Sequence, residues 1–161
     1  MDAVTLERTL AELRPLVVGR YLSKPRLAGG SAVVFDVQGS RDRWLWLDAA
    51  RATAGVYWLP RDTARSLAEH SPLAVPGRSR QALLHLRKHL DGARLVALAR
   101  VAGERTVVLE AGDSRLTLRL GGSAPALSLV RDGAVVGSLG EGPEAWPLPE
   151  SPEREWDQID P

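Results

Sequence analysis

A chain of 161 residues with 44% hydrophobic and 25% charged residues has the composition of an ordinary globular protein, long enough to bury most of its apolar surface in one domain. It has no apolar run of the ~18 residues that a spanning helix needs, and no cysteine, which excludes disulfides and thiolate metal sites. The net charge is only +1 but uneven: Arg78 to Arg105 is near +5, and Glu141 to Pro161 is near −6. Such asymmetry points either to a polyanion partner for the middle or to a tail folded over it.

The spacing of Leu6, Leu10, Leu13 and Val17 predicts a helix from about Asp2 to Val17, with Pro15 bending its last turn and Gly19 ending it. A β-meander follows. Tyr21 to Leu27 is a weak strand, which Pro25 restricts to an edge or a bulge. Gly29-Gly30 is a hairpin turn, Ala32 to Val37 a strand, and Gly39-Ser40-Arg41-Asp42 the next turn. Arg43 to Leu47 puts Trp44 and Trp46 on one face and Leu45 and Leu47 on the other; Val56 to Leu59 is a fourth strand. Exposed tryptophan beside arginine would stack bases, but large aromatics on alternating strands read as core for Trp58 and for one of Trp44 and Trp46. Asp62 to Glu69 is a short helix capped by Asp62, and Pro72 and Pro76-Gly77 form the loop after it.

Gln81 to Leu109 organises the rest. Ser79 is a candidate cap, Leu83, Leu86 and Leu90 make an apolar stripe, and Gly92 stands where the chain leaves the helix with positive φ. Leu95 to Val101 and Thr106 to Leu109 are strands rich in branched apolar residues. The short connection Gly103-Glu104-Arg105 puts opposite charges at a strand start. Arg115 to Leu120 then alternates, with Leu116, Leu118 and Leu120 inward. Leu127 to Val130 and Ala134 to Leu139 flank Asp132-Gly133, the strongest two-residue hairpin signal in the chain. Residues 1–140 thus form one domain, and the acidic, proline-rich stretch 141–161 a tail or linker.

Leu86-Arg87-Lys88-His89-Leu90-Asp91-Gly92-Ala93-Arg94-Leu95 resembles the signature of the NFACT N-terminal domain, found in bacterial proteins of the RqcH or fibronectin-binding-protein-A-like type. About ten residues on, that family carries an Asp-Arg pair at a strand start; Glu104-Arg105 stands there in this chain, followed by Thr106-Val107-Val108-Leu109. Gly19-Arg20 after the first helix and the Asp132-Gly133 hairpin match as well. The turn Gly121-Gly122-Ser123-Ala124-Pro125 lacks the arginine and asparagine that family members have, and Asp48 to Gly55 does not match the family's histidine-containing segment. The resemblance implies an α+β fold of two packed, mainly antiparallel β-sheets with a few helices, similar to the N-terminal domain of formamidopyrimidine-DNA glycosylases. Larger members carry further NFACT domains, so the chain is expected to be a fragment cut at a domain boundary or a short relative.

The resemblance also implies a cytoplasmic, ribosome-associated quality-control role. A domain of this kind helps to hold tRNA on a large ribosomal subunit whose stalled chain receives a C-terminal tail. The RNA-binding residues it implies are Glu104 and Arg105, then Arg87, Lys88, Arg94 and His89, with Glu104 orienting Arg105. The alternative is a protein-interaction module, fibronectin adhesion being the older family meaning.

Catalysis finds little support in the residues. The glycosylases use an N-terminal proline amine, and this chain begins Met1-Asp2-Ala3. There is no phosphate loop, no serine elbow and no thiol. His85 and His89 are spaced i, i+4 like zinc ligands, but Leu86 stands where the zincin glutamate belongs and no third ligand is evident. No enzyme activity, no metal and no cofactor is expected. His85 is expected in solvent, and His89 against the strands or a phosphate.

Overall fold

Two antiparallel β-sheets and three helices make up the residues that the computed structural model describes, 1–69, 77–121 and 124–140. Helix α1 (Ala3–Val17) starts where the Asp2 carboxylate accepts the Thr5 amide at 2.7 Å. That bond, to an otherwise unpaired first-turn donor, holds the Asp2 carboxyl below its usual range. Pro15 lies inside the helix, which nonetheless runs on to Val17, and Leu6, Leu10, Leu13 and Val17 are buried as their spacing predicts.

The first sheet has the order β1 (Leu22–Ala28), β2 (Ala32–Val37), β3 (Ser40–Asp48), β4 (Gly55–Pro60). Pro25 has both expected effects: β1 is an edge strand, and its register shifts between Ser23 and Arg26, where Lys24 takes φ 51°. The turn predicted at Gly39–Asp42 is tighter than expected. Ser40 already pairs with Val37, so Ser40, Arg41 and Asp42 belong to β3. The second sheet has the order β5 (Leu95–Arg100), β6 (Thr106–Ala111), β7 (Ser114–Arg119), β8 (Ala126–Arg131), β9 (Ala134–Gly140). The α+β sandwich implied by the resemblance is the fold found.

Phe35, Leu45 and Leu47 of the first sheet meet Leu98, Leu109 and Leu118 of the second in one buried cluster. The helices close its two sides. α1 packs on β4 and β5, and α3 (Gly77–Leu90) packs on β1 and β9. Ala82, Leu86 and Leu90 are the buried apolar residues among those described in α3, with Leu83 only half-buried. Each buried leucine contributes about 1.5–3 kcal/mol relative to exposure.

Three local expectations change. Ser79 does not cap α3 but lies within it, buried, its hydroxyl donating to the Gly30 carbonyl at 2.9 Å across to the first sheet. Helix α2 (Arg61–Glu69) begins one residue earlier than predicted, so Asp62 lies in its first turn, where its charge suits the helix dipole. Both Trp44 and Trp46 are buried, on the outer side of the first sheet beneath Ala64 of α2, whereas Trp58 is only partly buried, against the main core. A residue pointing away from the shared core still becomes core when a helix covers that face. The Asp48 carboxylate fixes this region by accepting from Trp46 Nε1 at 3.3 Å, the Ala50 amide at 2.8 Å and the Thr53 hydroxyl at 2.8 Å. The predicted loop through Pro72 and Pro76 and the tail 141–161 lie outside the described residues.

Candidate nucleic-acid interface

Helix α3 points its C-terminal end at a junction between the two sheets. The Leu90–Asp91–Gly92 exit requires a left-handed residue, and Gly92 takes φ 80° there. The Gly92 amide then donates to the Leu22 carbonyl at 2.7 Å, and the Leu95 amide to the Arg20 carbonyl at 2.8 Å. The Asp91 carboxylate accepts from the Lys24 amide at 3.0 Å. These bonds bring the start of β1 alongside the start of β5.

Cations collect at this junction. Arg87 and Lys88 are exposed in the last turn of α3, where positive charge suits the carboxyl end of the helix dipole. Arg94 is exposed, and its Nε donates to the Gly19 carbonyl at 3.2 Å, so one edge of its guanidinium is already engaged. Sequence reading did not single out Arg20, Lys24 or Arg131 as binding residues. Lys24 is held here by its amide bond to Asp91, and the Arg20 backbone by its bond to Leu95, while the Arg20 guanidinium turns to the Gln38 carbonyl at 3.1 Å. Arg131, whose Nη1 donates to the Ser114 hydroxyl at 2.6 Å, is close enough to His89 for its charge to act on the ring. His89 is half-buried, and its imidazole is held below its usual pKa first by that burial and then by the charges of Arg131, Lys88 and His85. His85 is also half-buried rather than solvated, its ring stacked on His89 with centroids 6.1 Å apart. Of the acids, Asp91 faces this end, and Asp113 and Asp132 occupy the adjoining hairpin turns.

Glu104 and Arg105 sit elsewhere. They occupy the β5–β6 turn, at the far end of β5 from Arg94, roughly 23 Å away along the strand. Both are exposed. The Arg105 guanidinium lies against Gly121, where an added Cβ would meet Nη2 at 3.9 Å, and the Arg105 carbonyl accepts the Leu120 amide at 2.8 Å. Among the described residues Arg105 forms no ion pair with Glu104 or Glu110. The Glu104 backbone carbonyl instead accepts from Arg100, whose Nε is paired with Glu7 of α1. The six residues implied by the resemblance therefore fall into two groups near opposite ends of β5: four at the α3 exit and two at the β5–β6 turn.

Trp44 is not a stacking platform. Arg26 covers its ring at 3.9 Å from the centroid while pairing with Asp36 at 2.7 Å. Among the described residues no three metal-ligating side chains come together, and no helix is long and apolar enough to cross a membrane.

No family model matches the sequence, and no curated protein does. Solved structures do share the fold. The N-terminal domain of fibronectin-binding protein PavA from Streptococcus pneumoniae superposes with a TM-score of 0.69 at 16% identity, over 97% of this chain and 67% of that one. The N-terminal part of the fibronectin/fibrinogen-binding protein from Streptococcus suis gives 0.64 at 18% identity, over 84% of this chain and 51% of that one. The fibrinogen-binding protein from Staphylococcus aureus gives 0.61 at 15% identity, over 89% and 55%. At such identities the likeness is one of fold. This chain spans about half to two thirds of the chains it resembles.

Proposed function

We propose that this chain is an NFACT N-terminal domain that binds structured RNA without catalysis, positioning tRNA on a large ribosomal subunit that carries a stalled chain. The observation that carries this reading is the placing of Arg87, Lys88, Arg94 and Lys24 around the exit of α3, with Arg131 close enough to His89 for its charge to act on that imidazole. Phosphate contacts come mainly from arginine and lysine, and they fix register and orientation rather than sequence. The second basic point, Arg105, stands roughly 23 Å away along β5. That separation exceeds any single small anion and suits a folded polyanion engaged at several phosphates. Arg105 has an exposed guanidinium available to fork onto two oxygens. His89, neutral near pH 7, has a ring nitrogen to offer as donor or acceptor without adding to the local repulsion. Templating and peptide transfer belong to the ribosome in this role, so positioning contacts suffice. The role requires a cytoplasmic protein.

The second reading is a protein-binding module, favoured by the names of the structural neighbours, which are fibronectin- or fibrinogen-binding proteins. A mobility-shift titration with tRNA over a salt series separates the two. Binding through phosphates weakens steeply as salt rises. No shift at low salt, together with salt-insensitive binding to immobilised fibronectin, would favour the protein partner.

A further inference from the structure

Part of the outer face of the five-stranded sheet is buried, with Thr117 at its centre half-buried, although no described element lies over its middle. Strand register places Ala99, Val108, Thr117, Ser128 and Ser138 in one row across β5 to β9. They alternate with the core leucines, so they point away from the shared core. Among the described elements neither β6 nor β7 carries a helix: α1 meets β5 through the leucines of the main core, and α3 meets β8 and β9. Yet Ala99, Val108, Ser128 and Ser138 are only 5%, 5%, 2% and 5% exposed. The row is flat and made of small side chains, flanked by Arg115 and Glu110 on one side and Arg119 on the other. A second, independent sign is Ser128: its hydroxyl is buried and has no hydrogen-bond partner. A polar group shut off from water is ordinarily satisfied by something, so the face is suited to a ligand with a group to give it.

We propose that this face is a docking surface for an acidic, tryptophan-bearing peptide, and that its occupant is this chain's own segment 141–161. Position, length and charge single out this segment. It begins directly after Gly140, the last residue of β9, on the edge of the same sheet. Its 21 residues could reach about 70 Å extended, while five strands span about 19 Å. It carries seven acids against the single cation Arg154, which complements Arg115 and Arg119. It also carries Trp146 and Trp156, large flat side chains for a floor of small ones, each with an indole N–H that the Ser128 hydroxyl can accept. The proposal stands on the sheet face and is independent of RNA binding at the α3 exit.

The test uses the full chain, which has no cysteine of its own. Thr117→Cys places one thiol in the row, and its rate of modification by a maleimide reports cover. The expected result is slow modification that becomes roughly tenfold faster or more when Glu141, Glu144, Glu150, Glu153 and Glu155 are all changed to Gln, with no dependence on protein concentration. Equal rates in the two chains would overturn the proposal. So would protection that grows with protein concentration, which would make the occupant a second copy. Should Thr117→Cys fail to fold, the indole N–H resonances of Trp146 and Trp156 in the unsubstituted chain report the same cover. They are expected to lie away from free-indole positions and to return there in Arg115→Gln/Arg119→Gln; resonances already at free-indole positions in the parent would overturn the proposal.

Discussion

Gly137 is where α3 is seated, and substituting it is predicted to unseat the helix that carries Arg87 and Lys88. An ideal Cβ at Gly137 would stand 3.0 Å from Ala82 Cα, 3.3 Å from Ala82 Cβ and 3.8 Å from His85 Cδ2. Ala82 Cα is helix backbone, so it cannot rotate out of the way, and the whole turn must retreat by a few tenths of an ångström. For Gly137→Ala that strain opposes a gain of about 0.4–1 kcal/mol from a less flexible unfolded chain, leaving stability within about 1 kcal/mol of the parent. Gly137→Val adds two methyl groups on the crowded carbon and is expected to cost about 2–3 kcal/mol. For a chain of this length that is about 4–12 °C in Tm. Urea unfolding followed by circular dichroism should show a lower midpoint with an unchanged slope, the mark of a stability change alone. Because Ala82 Cβ is one of the opposing atoms, Ala82→Gly combined with Gly137→Val should show a favourable coupling of about 0.5–1 kcal/mol in a double-mutant cycle. A valine variant as stable as the alanine variant would refute the claim that α3 rests directly on the backbone of β9.

Two further predictions concern single groups. Asp48→Ala leaves the buried Trp46 indole N–H without its acceptor and is expected to cost about 2 kcal/mol by chemical denaturation, with Asp48→Asn costing less because one carboxyl-like oxygen remains; an unchanged midpoint for the alanine variant would show that these bonds do not hold the β3–β4 connection. His89 is held below its usual value in the folded chain, so below about pH 6.5 the unfolded chain takes up a proton that the folded one resists. The stabilising contribution is therefore present above that pH and is lost as pH falls. His89→Gln should flatten the decline in Tm between about pH 7 and pH 5, and superimposable pH profiles for the two proteins would contradict it.

Most of the fold was legible because its signals are local. Leucines at helical spacing marked α1, Pro25 marked an irregular edge strand, Gly92 marked the helix exit, and Asp132-Gly133 takes φ 51° and 77° as a two-residue hairpin demands. What was not legible depended on contacts distant in sequence. Ser79 reads as a cap until the Gly30 carbonyl of the β1–β2 turn is seen to accept its hydroxyl. Trp44 and Trp46 point away from the main core, and only α2 lying over them makes them buried. The candidate site divided for the same reason. Arg94 and Arg105 are close in the chain but stand at opposite ends of β5, because an extended strand carries residues apart at about 3.3 Å each. Conversely, Lys24 and the Arg20 backbone are some seventy residues from Arg94, and the bonds from Lys24 to Asp91 and from Leu95 to Arg20 bring them alongside it. The Gly19-Arg20 pair was visible in the sequence, but nothing near it announced its neighbour.

The central claim is that this domain binds RNA by phosphate contacts made at the α3 exit and at the β5–β6 turn. Its most direct test is the salt dependence of tRNA affinity for the parent and for Arg87→Ala/Lys88→Ala/Arg105→Ala, three exposed side chains whose loss should leave Tm nearly unchanged. Arg94 is spared because it also bonds the Gly19 carbonyl. Each phosphate contact removed should lower the slope of log affinity against log salt by about 0.7–0.9, so the triple variant is predicted to bind more weakly with a slope reduced by about 2–3. Parent and variant binding with the same affinity and the same slope would contradict the claim.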